Sequence, residues 1–457
     1  MTTRLPTGDP GLDGILGGGL PANAIHLLMG APGTGKTIFA EQVVFATASE
    51  KRPALYLTTL SEPFAKTLTY LQAFDFFDVE RLDHAVHYED LAPLLATDGP
   101  NRVLEVIEEL LRERRPGLLV LDSFKAIQDM HPSLPDRRRW LHQIAGLLSA
   151  YRLTTLWLGE YGVDEVVRQP EFAVADGIIE FVKAPAGRHD RRYLRVHKLR
   201  GSDFRAGAHA LGISKGGLQA WPRLVTPQSP PDYTAARERI TTGVPGLDGL
   251  VDAGFWRGST TLVAGPSGSG KTALALHFVL EGASQGEPSL FVHFQENPTQ
   301  LAHIVTGFGR DPRPHLATGR LALHYQSTAE IEIDSLIHEV FTRLTAMGAR
   351  RLVVDALGDL AGACDDARRF HDYLYAIVQH CAVQNVACMF TLETSSLLGV
   401  DRISERDISP ICDNILLLQL QTGRRTERTL RVLKTRGSGH DPLEHRLTIT
   451  GRGPRVE

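Results

Sequence analysis

The sequence predicts an α/β fold built twice in tandem, each copy a largely parallel sheet flanked by helices and ending in C-terminal β-hairpins. Three observations predict it. The chain repeats itself at an offset of 235 residues: Thr7-Gly8-Asp9-Pro10-Gly11-Leu12-Asp13-Gly14 returns as Thr242-Gly243-Val244-Pro245-Gly246-Leu247-Asp248-Gly249, and Gly19 returns as Gly254. In both copies, continuous apolar runs alternate with stretches of helical spacing, the pattern of strands covered on both faces. Near the end of each copy that alternation gives way to paired strand-like runs. So long a period marks a duplicated domain rather than a solenoid. The 457 residues are enough for two domains with cores of their own. We place the first domain at 1–224, the second at 238–457, and a linker at 225–237, where Pro227-Gln228-Ser229-Pro230-Pro231 interrupts the pattern.

In the first copy the apolar run Ala24–Met29 is a strand, followed by a helix through Phe39, Val43, Val44 and Phe45. Ala54–Thr58 is the next strand, and Leu68, Leu71 and Phe74 after it have helical spacing. Val103, Ile107, Leu110 and Leu111 share one face of a helix over 102–114. Gly117–Ser123 contains a buried strand ending in an acid, a helix occupies 137–150, and Thr154–Leu158 is again a strand. Ile178–Val182 and Tyr193–Val196 form hairpins. The second copy repeats the order: strand Thr260–Ala264, strand Leu290–Phe294, a helix over 333–346, strand Arg351–Asp355, strand Val386–Leu392, and hairpins at Ile415–Gln419 and Thr429–Leu433.

Between the first strand and helix of each copy lies a glycine-rich turn: Gly30-Ala31-Pro32-Gly33-Thr34-Gly35-Lys36-Thr37, and Gly265-Pro266-Ser267-Gly268-Ser269-Gly270-Lys271-Thr272. This is a phosphate-binding P-loop in its expected setting. Glycines let backbone N–H groups wrap a phosphate chain, and the helix N-terminus adds partial positive charge. Lys36 and Lys271 would bridge the terminal phosphates of a nucleoside triphosphate, and the hydroxyls of Thr37 and Thr272 would help hold Mg²⁺. Asp122 and Asp355 end apolar strands at similar distances from the two loops, where an acid completes the metal site. An acid after an apolar strand is common by itself. Its pairing with a P-loop in both copies favours the metal role.

Hydrolysis needs a carboxylate to orient or deprotonate water. Glu62 and Glu296 follow the second strand of each copy and are the candidate bases, against the plainer reading of surface acids beside a proline turn. Lys198-Leu199-Arg200-Gly201-Ser202 recurs as Lys434-Thr435-Arg436-Gly437-Ser438. A lysine and an arginine two apart on a strand point the same way and can converge on one anion. The alternative is a charged strand edge. Distance from their own P-loops suggests that they reach a neighbour's nucleotide, as an arginine finger does.

Composition excludes several classes. A net charge of -4 gives no drive toward nucleic acid or membrane, and the arginine clusters at 112–115, 137–139 and 191–192 are short enough to be solvated faces. Cys364, Cys381, Cys388 and Cys412 contain no C-x-x-C pair and are expected to be reduced, packed thiols. The histidines show no zinc spacing. No signal peptide and no apolar run of membrane-spanning length are seen, so a cytoplasmic protein is expected.

With these residues in place, the chain resembles a two-domain ATPase of the KaiC family, the circadian clock type within the RecA superfamily. The resemblance runs through both copies and rests on the T-G-x-P-G-L-D openings, the P-loops, the acids after the second strand, Asp122 and Asp355 on their strands, and the K-x-R-G-S tails. It implies two tandem RecA-like P-loop NTPase domains that stack as two rings of a homohexamer, with ATP and Mg²⁺ between subunits. Lys198, Arg200, Lys434, Arg436 and His440 match positions that contact the adjacent subunit's nucleotide, and Phe204 stands where the first copy would carry the counterpart of His440. The family pattern has two adjacent glutamates after the second strand, whereas this chain reads Ser61-Glu62 and Gln295-Glu296. The clock phosphorylation pair, Ser-Thr, is here Ser409-Pro410, which leaves Ser409 as a single candidate phosphosite. The expected function is slow ATP hydrolysis in a ring whose state an unidentified regulatory protein reads, in a signalling or clock-like role. Alternatives are autophosphorylation at Ser409, a nucleotide-gated scaffold, and DNA handling. The last is disfavoured by the lack of a basic or aromatic stripe.

Overall fold

The computed structural model describes residues 3–59, 64–166, 168–186, 189–225, 238–328, 331–364, 367–394, 408–422 and 425–457. Ser61, Glu62, linker residues 226–237, Arg406 and Asp407 lie outside the described residues. The chain divides into two compact units, Met1–Arg223 and Leu224–Glu457. Each unit holds one nine-stranded sheet.

In the first unit the elements that build the site are β1 (Ile25–Met29), α1 (Lys36–Thr47), β2 (Ala54–Thr58), β3 (Val86–Asp90), α2 (Ala92–Arg114), β4 (Leu118–Asp122), α3 (Leu134–Ala150) and β5 (Thr154–Gly159). They are followed by β6 (Gly177–Ala186), β7 (His189–Leu199), β8 (Ala208–Ser214) and β9 (Gly217–Trp221). The sheet order is β9-β8-β7-β6-β1-β5-β4-β2-β3. β1 through β6 pair in parallel, and β6 to β9 continue the sheet as antiparallel hairpins.

Strand alternation explains why helices cover both faces. Leu28, Val120 and Leu156 point to the side where α1 packs through Phe39, Val43 and Val44. Leu27, Leu119 and Trp157 point to the other, against Val103, Ile107 and Leu111 of α2 and Trp140 and Ile144 of α3. Each such buried side chain contributes roughly 1.5–3 kcal/mol. Helix α2 starts ten residues before the expected 102, because Gly99 at φ 77° carries a kink just ahead of Pro100 that sequence reading takes for a start.

The second unit repeats the plan with β10 (Thr260–Gly265), α4 (Lys271–Ser284), β11 (Ser289–His293), β12 (Leu321–Tyr325), α5 (Ile333–Met347), β13 (Arg351–Asp355), α6 (Ala367–Val383) and β14 (Ala387–Glu393). The tail strands are β15 (Asn414–Thr422), β16 (Thr426–Thr435), β17 (Glu444–Thr450) and β18 (Gly453–Val456). The order is β12-β11-β13-β14-β10-β15-β16-β17-β18. The repeated opening motif has a structural reason. Asp13 Oδ1 accepts from the Thr7 backbone N–H at 2.9 Å, and Asp248 Oδ1 accepts from Thr242 N–H at 2.7 Å, closing the same turn twice.

All four cysteines are free thiols, and Cys381, Cys388 and Cys412 are buried in the second core, where burial pushes Cys412 up to about 12. Among the described residues no helix is long and apolar enough to cross a membrane.

Candidate functional site

Each site sits at the C-terminal ends of parallel strands, where open α/β sheets bind ligands. After β1 the chain turns through Gly30, Gly33 and Gly35, at φ 145°, 73° and 110°, and Gly35 caps α1. A Cβ on Gly30 would lie 2.2 Å from the Phe181 carbonyl oxygen, whereas one on Gly33 would meet nothing within 4 Å. The loop is therefore closed at its back and open in front, a cradle fitted to phosphate. In the second copy a Cβ on Gly265 would lie 2.6 Å from the Leu418 carbonyl oxygen, and Gly268 is again open; Gly270, at φ 106°, caps α4. Buried hydroxyls hold both loops: Thr34 Oγ1 donates to the Ala31 carbonyl at 2.8 Å, and Ser269 Oγ to the Pro266 carbonyl at 2.7 Å.

The two lysines are placed alike. Lys36 Nζ donates to the carbonyls of Gly30 (2.8 Å) and Ala31 (2.9 Å). Lys271 Nζ donates to those of Gly265 (2.9 Å) and Pro266 (2.8 Å). Burial lowers the pKa of both, and nearby acids oppose it: Glu160 for Lys36 and Glu393 for Lys271. Phosphate oxygens arriving in the cradle offer each ammonium a charged acceptor in place of a carbonyl.

At the metal positions, Thr37 Oγ1 donates to Asp122 Oδ2 at 3.1 Å, and the Tyr56 hydroxyl donates to the same oxygen at 2.9 Å. Burial raises Asp122 above the ordinary carboxylate range, while Tyr56, Thr37 and Lys36 pull it down. In the second copy Thr391 donates to Asp355, and Thr272 and Asp355 line one cleft. A hydroxyl beside a carboxylate is a hard oxygen donor set, which fits Mg²⁺.

That cleft, about 270 Å³ in volume, is also lined by Lys271, Gln295, Glu296 and Glu393. Glu296 thus stands at the phosphate site, and its backbone is fixed there: His293 Nδ1 lies 2.7 Å from its carbonyl oxygen, which makes that ring nitrogen the donor. Burial lowers the His293 pKa and keeps the imidazole neutral. Gln295 Nε2 reaches Asp359 Oδ2 at 3.4 Å. The other candidate base, Glu62, lies outside the described residues.

The basic pairs differ from expectation. β7 ends at Leu199 and β16 at Thr435, so Arg200 and Arg436 lie beyond the strand ends, not on a strand with their lysines. Both pairs converge on groups of their own chain. Lys198 Nζ donates to the Ala175 carbonyl at 2.6 Å, and Arg200 pairs with Asp176 at 3.3 Å. Lys434 Nζ donates to the carbonyls of Ser409 (2.8 Å) and Cys412 (2.7 Å), and Arg436 pairs with Asp413 at 3.2 Å. His440 is exposed, its Nδ1 3.0 Å from Thr435 Oγ1. Phe204 packs on the first core. Ser409 is half-buried and has its carbonyl on Lys434.

Sequence reading gives Tyr56 and Thr391 only as strand residues and does not single out Glu160 or Glu393. The signal for the last two was present: Glu160 and Glu393 are separated by 233 residues, as are Asp122 and Asp355.

Comparison with known proteins agrees with this geometry. Residues 5–224 and 240–457 match the family ATPase: KaiC. The circadian clock oscillator protein KaiC of Picosynechococcus sp. is 26% identical, the match covering 98% of this chain and 88% of that protein. The circadian clock protein KaiC3 of Synechocystis sp. is 27% identical over 99% of this chain and 91% of its own length. Two complete phosphate cradles, each with its lysine and acid, lie within those matched spans, and the chain belongs to the KaiC family of ATP-binding ATPases.

Proposed function

We propose that this chain is a slow Mg²⁺-dependent ATPase that works as a homohexameric ring, with ATP at the subunit interfaces. In this reading a partner protein reads the ring's nucleotide state in a signalling or clock-like circuit in the cytoplasm. The observation that carries it is the duplicated cradle: Lys36 and Lys271 are held at the same two carbonyls of their loops, and Asp122 and Asp355 act electrostatically on them from equivalent strands. Gly30, Gly33, Thr34, Gly35, Lys36 and Thr37, with Gly265, Gly268, Ser269, Gly270, Lys271 and Thr272, bind the phosphates. Thr37 with Asp122, and Thr272 with Asp355, hold the metal. Glu62 and Glu296 orient or deprotonate the water. Lys198, Arg200, Lys434, Arg436 and His440 reach the adjacent subunit's nucleotide. That its relatives in Picosynechococcus and Synechocystis are circadian clock proteins supports the clock-like role.

Steady-state phosphate release with Mg-ATP, together with native mass with and without nucleotide, tests the reading. Release accompanied by ATP-dependent hexamers is expected. Tight ATP binding without release would move the balance to a nucleotide-gated scaffold, a reading favoured by the uncharged Gln295 on the cleft wall. Intact-mass measurement after ATP incubation tests phosphorylation of Ser409.

A further inference from the structure

We infer that Glu393 in the second site and Glu160 in the first take the proton from the water that attacks the terminal phosphate. This rests on the ATPase reading and sharpens it, leaving Glu296 to orient that water. Glu393 ends β14, in register with Gly265, the first glycine of its P-loop. Gly159 ends β5 in register with Met29, so Glu160 follows it as Gly30 follows Met29. The two glutamates therefore hold one place in the duplicated fold, next to the strand that feeds the phosphate cradle. The neighbouring backbone is anchored in both copies. Thr394 N–H donates to the Gly265 carbonyl at 3.1 Å, the same carbonyl that holds Lys271 Nζ. Lys125 Nζ donates to the Glu160 carbonyl at 2.6 Å.

An exposed glutamate at a strand end is ordinarily a solvated surface acid. Three observations argue against that here. Glu393 lines the cleft shared by Lys271, Thr272, Glu296 and Asp355, so the solvent it meets is the solvent of the phosphate site. Asp355, the acid of that cleft at the metal position, is engaged by Thr391, which leaves Glu296 and Glu393 as its two carboxylates free for water. Among the described residues neither Glu393 nor Glu160 has a salt-bridge partner, and each acts electrostatically on the P-loop lysine of its own site. A free carboxylate beside the lysine that holds the terminal phosphates is a proton acceptor within reach of the attacking water.

In the step, the water oxygen forms a bond to the γ-phosphorus as the bond from that phosphorus to the β,γ-bridging oxygen breaks. The bridging electron pair leaves with ADP, and one water proton moves to the carboxylate, then to phosphate or solvent.

The test is the full-length double variant Glu160→Gln/Glu393→Gln, assayed for phosphate release, for ATP affinity, and for the identity of the protein-bound nucleotide by chromatography after incubation. About a hundredfold loss of release is expected, the lower range for a general base. ATP affinity should be unchanged or tighter, since a negative charge near the phosphates is removed, and the bound nucleotide should remain ATP where wild type accumulates ADP. The Glu160→Asp/Glu393→Asp variant should retain intermediate activity, which separates proton transfer from a folding defect. Wild-type release beside an equally active double Gln variant overturns this inference alone. A wild type that binds ATP and never releases phosphate overturns it together with the ATPase reading.

Discussion

The buried Glu41 Oε2 and the hydroxyl of the half-buried Tyr88 lie 2.6 Å apart, joining the P-loop helix α1 to the edge strand β3 of the first unit. The ring of Tyr88 lies 5.2 Å from that of Tyr56, whose own hydroxyl is on Asp122. Counting 235 residues on, the second unit places Leu276, Leu323 and Phe291 at the positions of Glu41, Tyr88 and Tyr56. One copy of the fold therefore has a polar network beneath its phosphate cradle, and the other has hydrocarbon.

That network makes stability depend on pH. Burial raises Glu41 to about 8, helped by the Asp122 charge and opposed by the Tyr88 hydrogen bond, and its Oε1 has no partner among the described residues. The folded state therefore holds a proton that the unfolded state, with an ordinary glutamate near 4.5, gives up. Stability should fall as pH rises from about 4.5 to about 8 and level off above that, by several kcal/mol (~1.4 per pKa unit). Glu41→Gln should abolish that slope, so that wild type and variant are close at pH 5 and the variant is the more stable at pH 9. Urea denaturation at both pH values checks this; parallel curves would rule it out.

Tyr56→Phe restores the second copy's residue in the first. It removes one of two hydroxyl donors to Asp122 while leaving the ring packed. Hydrogen bonds to charged groups contribute about 1.5–3 kcal/mol, so the nucleotide-free protein should lose stability on that scale. The reciprocal Phe291→Tyr puts a hydroxyl into an apolar cluster and should destabilise too. Denaturation midpoints of the two variants decide the matter.

The fold was legible because duplication let each copy vouch for the other: an acid after an apolar strand is ambiguous once, and Asp122 with Asp355 is not. The core strands read clearly since both of their faces are covered by helices. The edge strands β3 and β12 were missed because an edge has one neighbour and tolerates polar residues, as in Val86-His87-Tyr88-Glu89-Asp90. The cradle and its lysines were legible from spacing alone. Glu393 and Glu160 were not, since their meaning comes from strand register across a crossover, Glu393 opposite Gly265 and Glu160 one residue past the Met29–Gly159 pair.

Nucleotide stoichiometry should follow the duplication. Wild type is expected to bind two ATP per chain, and Lys36→Ala and Lys271→Ala one each, since each lysine serves only its own loop. ATP at a hundred times its dissociation constant should stabilise an intact site by about 2.7 kcal/mol. Calorimetric titration gives the count. Two equivalents in either variant would show that the missing ammonium is dispensable for binding.

Lys434 and Arg436 separate two roles that sequence reading had merged. Lys434 is tied by two short bonds to the carbonyls of Ser409 and Cys412, just before β15, and Asp413 in that segment also accepts from the Thr260 N–H at the start of β10. Removing Lys434 leaves those carbonyls without a donor, so Lys434→Met should destabilise the chain whether or not ATP is present. Arg436 has a side chain 58% exposed and an ion pair with Asp413 at the surface, where such pairs add little. Arg436→Ala should therefore leave the denaturation midpoint nearly unchanged and instead reduce ATP-dependent assembly and phosphate release. Equal loss of stability in both variants would mean that the arginine, like the lysine, serves its own subunit only, and the trans contact would have to come from His440 or elsewhere.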